Sequence, residues 1–350
     1  MIEISPNRKI PSIPIKKPTK NTTHFLIFDV ESRLVPGKDG ITYHEPFLVS
    51  YCILSLGADG AVGRGAIGHV LTKSEFEAVI DRTLKAHRNI TLIAHNTGYD
   101  FSALDLWTYL AERDYKVVTF NPLRGSYFML FRTNKNEIRV IDNLNFFTGK
   151  LSKLGDELGI KKLPMPRKQV PSKAMIRYCR RDVEIVREAL IELSKITSKY
   201  NMGALSITRA KLAMEIYQKN FLHTRIVLHN NRHVLHREFL AYYGGRTEAY
   251  YQGTAPRRNY YYLDFNSLYP SVMLNRRFST RLRFTFKDMC TEKLGGVLTR
   301  YNGLATVDLD TPEPAYPLRY DDGIMFPVGR FTTHLPVSYT HLTLPTKRIV

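Results

Sequence analysis

Short apolar runs alternate with stretches of helical spacing between residues 24 and 199, and this alternation limits the fold more than any other feature. The runs have the length of buried strands, and the stretches between them place apolar residues three and four apart. The predicted strands are 24–30, 47–56, 90–95, 127–132 and 137–142, the last two forming a hairpin. The predicted helices are 74–87, with a Ser74 cap, 101–112 and 171–199. This order predicts an α/β (α+β) domain in which helices flank a mixed sheet.

A second region follows a boundary predicted at residues 200–203. It begins with a predicted helix at 205–220, and the aromatic run 260–263 predicts a buried strand directly before Asp264. A helix is predicted at 268–275, and beyond residue 280 the sequence indicates only strands and proline-rich turns. The predicted divisions of the chain are a flexible leader at 1–22, a first domain at 23–200, a second domain at 201–335 and a foreign tail at 336–350.

The net charge indicates a polyanionic partner. Lys and Arg number 51 against 32 Asp and Glu, a formal net charge of +19 that is spread along the chain. A distributed basic surface favours nucleic acid through counterion release, although charge alone does not name the ligand.

Cysteine spacing and apolar content limit the cellular compartment in which this chain is expected. Cys52, Cys179 and Cys290 form no C-x-x-C pair, so neither a zinc site nor a disulfide framework is indicated. A reducing interior is expected, in a host cytoplasm or mitochondrion. The first twenty residues lack the apolar core of a secretory signal, and no apolar stretch approaches the roughly 20 residues that cross a bilayer, so no membrane partner is expected.

Two carboxylates stand at the end of the first predicted strand, in the D-x-E motif of Asp29 and Glu31. Residues two apart in a strand share a face, so both side chains can reach one metal ion. A solvated strand end is the alternative interpretation of this motif when it is taken alone.

Further acidic motifs follow. Asp100 comes shortly after the strand ending at residue 95, beside Asn96 and Tyr99, which could hold a displaced strand end by hydrogen bonding and stacking. Tyr178 and Asp182 lie one helical turn apart and so face the same way. Together, four carboxylates could hold two Mg²⁺ ions about 4 Å apart for phosphodiester hydrolysis, with Tyr178 orienting the attacking water.

Another acidic motif, D-F-N-S-L-Y-P-S, begins at Asp264. A carboxylate that leaves a strand, followed by a turn whose backbone can hold phosphates, is a suitable place for Mg²⁺ beside a nucleoside triphosphate. The chain is therefore predicted to contain one site that removes nucleotides and one that adds them.

The order D-x-E, N-x-x-Y-D, Y-x-x-x-D, Y-x-G-G and D-x-x-S-L-Y-P, over about residues 24–335, resembles the family B DNA polymerases. The Y-x-G-G element favours the protein-primed branch, which serves some phages, adenoviruses and linear plasmids. The resemblance implies a ribonuclease-H-like 3′–5′ exonuclease domain followed by an incomplete polymerase palm. It also implies two Mg²⁺ ions per site (with Mn²⁺ as an alternative), DNA and dNTPs as ligands, and a terminal or priming protein as partner.

Roles carry over to matching positions of this chain. The resemblance implies that Asp29, Glu31, Asp100 and Asp182 bind the exonuclease metals and that Tyr178 assists the attack. It implies that Asn96 and Tyr99 hold the frayed 3′ end and that Lys162, in a K-x-x-hydrophobic element, contacts the scissile phosphate; an ordinary exposed lysine is the alternative. Lys150 stands where the family usually has Ser or Thr.

In the second site, the resemblance implies that Asp264 binds both metals and that the carbonyl of Phe265 completes one of them. The remaining implied contacts are Ser267, Leu268 and Tyr269 to the incoming nucleotide, with Tyr269 as steric gate, and Tyr242, Gly244 and Gly245 to the template. A tight turn is the alternative for the glycine pair. The stretch 303–331 resembles the start of an insertion associated with the priming protein and DNA.

Two parts of the family pattern have no counterpart after Asp264: the D-T-D turn with the second catalytic Asp, and the fingers Lys. Asp308 and Asp310 form the nearest imitation. Residues 337–346 resemble the translation of a sequencing-library adapter, so the reading frame is expected to have been cut near residue 336. We therefore expect this chain to be unable to polymerise. Two other functions stay open: a stand-alone 3′–5′ exonuclease and a non-catalytic nucleic-acid-binding module.

Overall fold

The structure is a computed structural model that describes residues 2–3, 12–13, 22–36, 41–57, 60–200, 202, 205–223, 226–227, 229–249, 251–274, 282–287, 289–321, 323–336 and 348–349. The chain divides into two compact units: Ile15–Thr224, called the first unit, and Met1–Pro14 with Arg225–Val350, called the second unit. The predicted domain limits stay predictions. Most of the predicted leader and of the predicted foreign tail lies outside the described residues.

The elements follow one another in chain order, the first two belonging to the second unit. Up to Thr224 the strands are β1 (Ile2–Glu3), β2 (Ser12–Ile13), β3 (Thr23–Pro36), β4 (Thr42–Leu56), β5 (Val62–Arg64), β6 (Gly68–Val70), β7 (Asn89–Ala94), β8 (Lys116–Asn121), β9 (Phe128–Arg132) and β10 (Glu137–Asp142). The helices are α1 (Lys73–Ala86), α2 (Thr97–Ala103), α3 (Leu106–Ala111), α4 (Leu151–Glu157), α5 (Lys173–Lys199) and α6 (Arg209–Asn220).

One mixed sheet of eight described strands organises the first unit, in the order β5-β4-β3-β7-β10-β9-β8, with β6 also paired to β4. The strands β3, β7 and β10 are parallel neighbours, whereas β4 and β9 pair antiparallel to their partners. Helices cover both faces, because one apolar cluster of the sheet packs on α1 to α3 and another packs on α4 and α5. The predicted mixed α/β architecture is confirmed.

Strand β3 is buried because its middle is apolar throughout, as expected for a strand covered on both faces. Its residues Phe25, Leu26, Ile27 and Phe28 are each at most 1% exposed. The pairing of β3 with β4 shifts register between Glu31 and the next residue. A bulge of this kind re-aims side chains where the strand leaves the core.

Two details of the helices differ from the sequence predictions. Thr72, rather than Ser74, caps α1 through a capping box with Glu75, since only a residue that precedes the first helical N–H groups can accept from them. The predicted helix 101–112 is wrong as a single element: α2 already begins at Thr97, and Asp105, at a left-handed φ of 45°, separates it from α3. The long helix α5 and the β9–β10 hairpin occur as predicted.

The second unit contains smaller sheets. Its elements after Thr224 are β11 (Ile226–Val227), α7 (Arg232–Leu240), α8 (Leu268–Leu274), β12 (Phe284–Thr285), α9 (Thr291–Leu298), β13 (Leu304–Thr311), β14 (Leu318–Tyr320), β15 (Gly323–Met325), β16 (Gly329–Pro336) and β17 (Arg348–Ile349). Its core cluster contains Val307, Leu309, Tyr316 and Leu335, on the paired strands β13 and β16 and on the segment that joins β13 to β14.

Two predictions for the second unit are wrong. The run 260–263 is not a buried strand: it is irregular, and Tyr262 and Leu263 are 97% and 86% exposed. A strand is stable only with a hydrogen-bonded neighbour and an apolar surface to cover, and no described strand pairs with this run. The expectation of strands and turns alone beyond residue 280 fails at α9, which forms despite its two glycines. Position 275, the end of the predicted helix at 268–275, lies outside the described residues.

Among the described residues, no helix combines the length and the apolar character that a bilayer span requires.

Candidate metal centre

The carboxylates of Asp29 and Glu31 come together, as the D-x-E spacing predicts, but in the middle of β3, because its pairing with β4 continues to Pro36 instead of ending at residue 30 as predicted. Their oxygens and the Sγ atom of Cys179 all lie within 4.8 Å of one another. Asp29 is partly buried and Glu31 is only 7% exposed. Strand geometry places the two carboxylates on one face of β3. The bulge after Glu31 interrupts the regular alternation of side chains beyond that residue.

Asp100 joins this pair from α2 rather than from a loop after the strand. Its side chain is 3% exposed, and its Oδ1 accepts a hydrogen bond of 3.0 Å from the backbone N–H of Val30. This bond ties the first turn of α2 to the residue between Asp29 and Glu31. The sequence predicted that Asp100 lies past the strand and before a helix that starts at residue 101. In the structure it lies within α2, because that helix starts soon after β7.

Helix α5 supplies the next two groups. Tyr178 and Asp182 are 8% and 4% exposed and lie on the same face of the helix. The ammonium of Lys162 donates a hydrogen bond to Oδ2 of Asp182 and lies 4.5 Å from the centre of the Tyr178 ring. Lys162 is therefore not an ordinary exposed lysine, the alternative left open by the sequence.

The electrostatics of this cluster are those of crowded carboxylates. Burial raises the pKa of Asp29 well above its ordinary range, and the neighbouring Asp182 and Glu31 raise it further. Burial and the charge of Asp182 raise the pKa of Glu31 to about 7. Burial, and then Asp29, raise the pKa of Asp100. The four groups thus repel one another when ionised and are stabilised by added positive charge.

Lys162 provides part of that positive charge. Burial raises the pKa of Asp182, while the Lys162 ammonium opposes the rise. Burial is the largest single influence and lowers the pKa of Lys162, but the charge and hydrogen bond of Asp182, together with Tyr178, outweigh it and the pKa of the lysine is raised overall. One ammonium faces several carboxylates, so further positive charge is needed before all of them can ionise together.

Cys179 is a residue that the sequence prediction missed. Its Sγ donates a hydrogen bond of 3.3 Å to the backbone carbonyl of Asp29, and burial raises the pKa of the thiol well above its ordinary value. A protonated thiol is a poor ligand for a hard cation such as Mg²⁺, which takes oxygen ligands. Cys179 therefore positions the Asp29 backbone. Its place one residue after Tyr178 on α5 was the available signal.

The two residues predicted to hold a strand end lie at the rim. Asn96 is exposed and has a left-handed φ of 78°. Tyr99 is 38% exposed, and its hydroxyl makes hydrogen bonds of 2.6 Å to Ser32 and 3.2 Å to His44. The Tyr99 ring is thus held in place at the opening of the cluster.

Asp142, at the end of β10, fixes this rim and was also missed. Its carboxylate accepts hydrogen bonds from the backbone N–H groups of Asn96, Thr97 and Leu144, at 3.0, 3.2 and 2.9 Å. Two of these bonds hold the start of α2, and with it Asn96, against the sheet, and the third caps the turn that follows β10. Its position immediately before a short 3₁₀ turn was the only sequence signal, and that signal is weak.

The residues predicted for the second site lie elsewhere and are open to solvent. An exposed groove of about 350 Å³ is lined by residues of the motif that begins at Asp264, including Phe265, Ser267, Leu268 and Tyr269. Phe265 and Tyr269 are 78% and 68% exposed. Within the described part of the chain, Asp264 belongs to no group of three or more potential metal ligands.

One pair of predicted contacts in the second unit is close. A Cβ atom at Gly245 would collide with the hydroxyl of Tyr269, so only glycine allows this approach. Tyr242 is 74% exposed, and Gly244 has open space around it. Asp310 is paired with Arg330 at 3.0 Å and Asp308 bonds Thr332, so both acids stabilise the β13–β16 pairing.

The donor set of the first cluster fits a divalent cation. Its ligands are carboxylate oxygens, which Mg²⁺ and Mn²⁺ prefer. Oδ1 of Asp182 is buried without a hydrogen-bond partner in the described structure. A buried, unsatisfied carboxylate oxygen costs free energy unless a cation or water meets it. The carboxylates in the middle of β3 and on α5 are therefore suited to hold a metal ion.

Comparisons with known proteins agree with the motifs. Residues 164–318 match the family model described as DNA polymerase type B, organellar and viral. No curated protein matches the chain.

Among solved structures, the chain is similar to Phi29 DNA polymerase complexed with primer-template DNA, at 13% identity and a TM-score of 0.39, over 55% of this chain and 34% of that one. It is likewise similar to Phi29 DNA polymerase complexed with single-stranded DNA, at 12% identity and a TM-score of 0.40, over 57% and 35% of the two chains. The chain spans about a third of the length of these polymerase chains. The resemblance to the type B DNA polymerases is confirmed by the family match over residues 164–318, which include Tyr178, Asp182 and the motif at Asp264.

Proposed function

We propose that the first unit is a metal-dependent 3′–5′ exonuclease of the ribonuclease-H-like kind that acts on the single-stranded end of DNA. The observation that carries this proposal is the pairing of Asp29 and Glu31 on β3, with Asp100 of α2 bonded to the intervening Val30 and Asp182 of α5 near enough to raise the pKa of Asp29. The mixed sheet with its parallel centre and flanking helices supports the fold assignment.

The residues divide the chemistry among them. The four carboxylates hold cations beside a phosphodiester that would otherwise be repelled. Bound Mg²⁺ lowers the pKa of water towards neutrality and stabilises the charge that develops on the phosphate and the leaving oxygen. The Lys162 ammonium lies 4.5 Å from the centre of the Tyr178 ring and bonds Asp182, so in this proposal Lys162 contacts a phosphate oxygen and the Tyr178 hydroxyl orients the attacking water.

The rim residues position the substrate. Tyr99 presents a ring that Ser32 and His44 hold by hydrogen bonds, and a terminal base can stack on it. Asn96, whose backbone N–H is anchored by Asp142, stands three residues before Tyr99 and would hydrogen-bond the same strand end. A strand end held here would place its last phosphodiester towards the carboxylates.

A nuclease assay on the full chain tests this proposal. A single-stranded oligonucleotide labelled at either end is incubated with Mg²⁺, and the products of Asp29→Asn are compared with those of Asp156→Asn, an exposed acid on α4. We expect release of single nucleotides from the 3′ end, lost in Asp29→Asn and kept in Asp156→Asn. Undiminished activity in Asp29→Asn, or no activity in the unaltered chain, would refute the proposal.

We propose further that the chain is part of a DNA-directed DNA polymerase of the protein-primed kind. The family match and the motif at Asp264 support this proposal. Asp264, Phe265, Ser267, Leu268 and Tyr269 would contact a dNTP and its metals, and Tyr242, Gly244 and Gly245 would contact the template, with a priming protein as partner.

Asp264 stands outside any group of three ligands among the described residues, and one carboxylate cannot hold two metals for phosphoryl transfer. We therefore expect no primer extension by this chain. Template-dependent extension by the chain as it stands would contradict this expectation.

A further inference from the structure

A groove of about 480 Å³ lies between α5 and the short strand β6, on a face of α5 different from the one that holds Tyr178 and Asp182. It belongs to the first unit, and none of the residues that the sequence motifs single out lines it. Its polar lining consists of His69, Lys173, Arg177, Arg180, Arg181 and Glu184.

The charge of this groove is unbalanced. Four of the lining side chains are permanent cations and one is a carboxylate. Arg181 is already engaged, with Glu184 at 2.9 Å and the carbonyl of Lys161 at 3.0 Å. Lys173, Arg177 and Arg180 are exposed and form no ion pair with any residue that the structure describes.

This arrangement costs the helix stability. Lys173, Arg177 and Arg181 follow one another at intervals of four residues, and like charges at that spacing repel on a helix surface. Acidic residues elsewhere on α5 do pair, as Glu188 does with Arg187 at 2.9 Å. The open cations of the groove thus lack the partners that the same helix provides at other positions.

The spacing of these cations fits an extended polyanion better than a single phosphate. The open cations Lys173, Arg177 and Arg180 follow one another three or four residues apart, a rise of about 5–6 Å each, so they form a row instead of converging on one point. Guanidinium groups bind phosphate oxygens with two parallel hydrogen bonds. Apart from His69, the lining contains no aromatic ring on which a base could stack, so the groove is suited to the sugar–phosphate backbone.

We propose that the groove between α5 and β6 binds the phosphate backbone of single-stranded DNA, without reading its bases. This inference deepens the proposed exonuclease function and rests on it for the identity of the strand. The same helix carries the cations of the groove and two members of the metal centre, and a helix is about 10 Å across. A strand in the groove would therefore lie within a few nucleotides of the carboxylates and be retained between successive cleavages.

A binding experiment tests the groove separately from catalysis. The full chain in EDTA, where no cleavage occurs, is titrated into a fluorescent oligothymidylate, and the dissociation constant is measured by anisotropy at several salt concentrations. The groove variant is Arg177→Gln with Arg180→Gln. The matched control, Arg82→Gln with Lys85→Gln, removes the same charge from the exposed surface of α1 in the same unit.

Binding weakens as salt is added, so a plot of the logarithm of the association constant against log salt has a negative slope. Loss of two phosphate contacts should make that slope less steep by about 1.4 and weaken binding about 25-fold at 0.1 M salt. The control should keep the slope of the unaltered chain. Equal slopes and affinities in the groove and control variants would overturn the inference. Polyglutamate is titrated as a polyanion without phosphate groups. A groove variant that loses binding to polyglutamate but binds the oligonucleotide like the unaltered chain would also overturn the inference.

The two proposals fail in different ways. Suppose that the chain shows no nuclease activity with Mg²⁺, but that the salt dependence of DNA binding becomes less steep in the groove variant alone. The groove is then retained as a DNA contact and the exonuclease assignment is refuted. If nuclease activity is present and the groove variant binds and cleaves like the control, the groove inference falls alone. Circular dichroism of each variant checks that α5 stays folded.

Discussion

Replacing Glu31 by Gln should stabilise the metal-free protein at alkaline pH. Glu31 is 7% exposed, and burial with the charge of Asp182 raises its pKa from 4.5 to about 7. Because the folded-state value is the higher one, the native protein keeps a proton that the unfolded chain releases, and stability falls as pH rises from about 4.5 to about 7. Gln has the shape of the protonated acid and never ionises, so Glu31→Gln avoids that loss.

The size of the effect follows from the shift. A change from 4.5 to about 7 corresponds to about 3 kcal/mol, an upper value because neighbouring groups relax. We expect Glu31→Gln to be more stable than the unaltered chain by about 2 kcal/mol at pH 8, or about 4–8 °C in the Tm of a unit of this size, and by close to zero at pH 4.

The only tryptophan of the chain makes the measurement specific. Trp107 lies in the first unit, where its ring packs against Phe101 at 5.3 Å and Phe131 at 5.4 Å, so its fluorescence follows the unfolding of that unit. Thermal unfolding in EDTA is measured from pH 4 to pH 8, with the exposed Glu157→Gln as control. A stability difference that does not grow with pH would refute the repulsion inferred for the carboxylate cluster.

Further substitutions test other parts of the account. Lys162→Met should destabilise the first unit by about 3 kcal/mol at neutral pH in denaturant unfolding, because it leaves the buried carboxylate of Asp182 without its cation; a loss below 1 kcal/mol would contradict the pairing. Thr72→Ala should cost about 1 kcal/mol through loss of the capping box of α1, whereas Ser74→Ala should cost close to nothing; equal losses would favour the cap predicted from the sequence. Asp142→Ala should cost about 3 kcal/mol and speed amide exchange at the start of α2, since it removes the acceptor of three backbone N–H groups; unchanged exchange there would contradict the anchoring role.

The sequence was sufficient to predict those elements for which the local residue pattern and the tertiary packing favour the same structure. Helix α5 occurs where its apolar spacing predicted it, and the D-x-E motif in β3 places two carboxylates together because strand geometry leaves little freedom. The hairpin of β9 and β10 followed from alternation in the same way.

Features that depend on backbone geometry or on a distant partner could not be predicted. The break at Asp105 requires a left-handed residue inside an otherwise helical pattern, and apolar spacing does not report φ. The hold of Asp142 on the start of α2 joins residues about 45 positions apart. The aromatic run 260–263 has the composition of a strand, but no described strand lies beside it, so composition alone gave the wrong answer.

Metal binding at the carboxylate cluster tests the central claim most directly. Mn²⁺ is titrated into the full chain and its free concentration is followed by electron paramagnetic resonance, with Asp182→Asn as the variant and Asp156→Asn as the control. The account predicts saturable binding that Mg²⁺ displaces, retained in Asp156→Asn and weakened at least about tenfold in Asp182→Asn, whose Oδ1 is buried without a partner among the described residues. Equal Mn²⁺ affinity in Asp182→Asn and the unaltered chain would contradict the claim that these carboxylates form a metal centre.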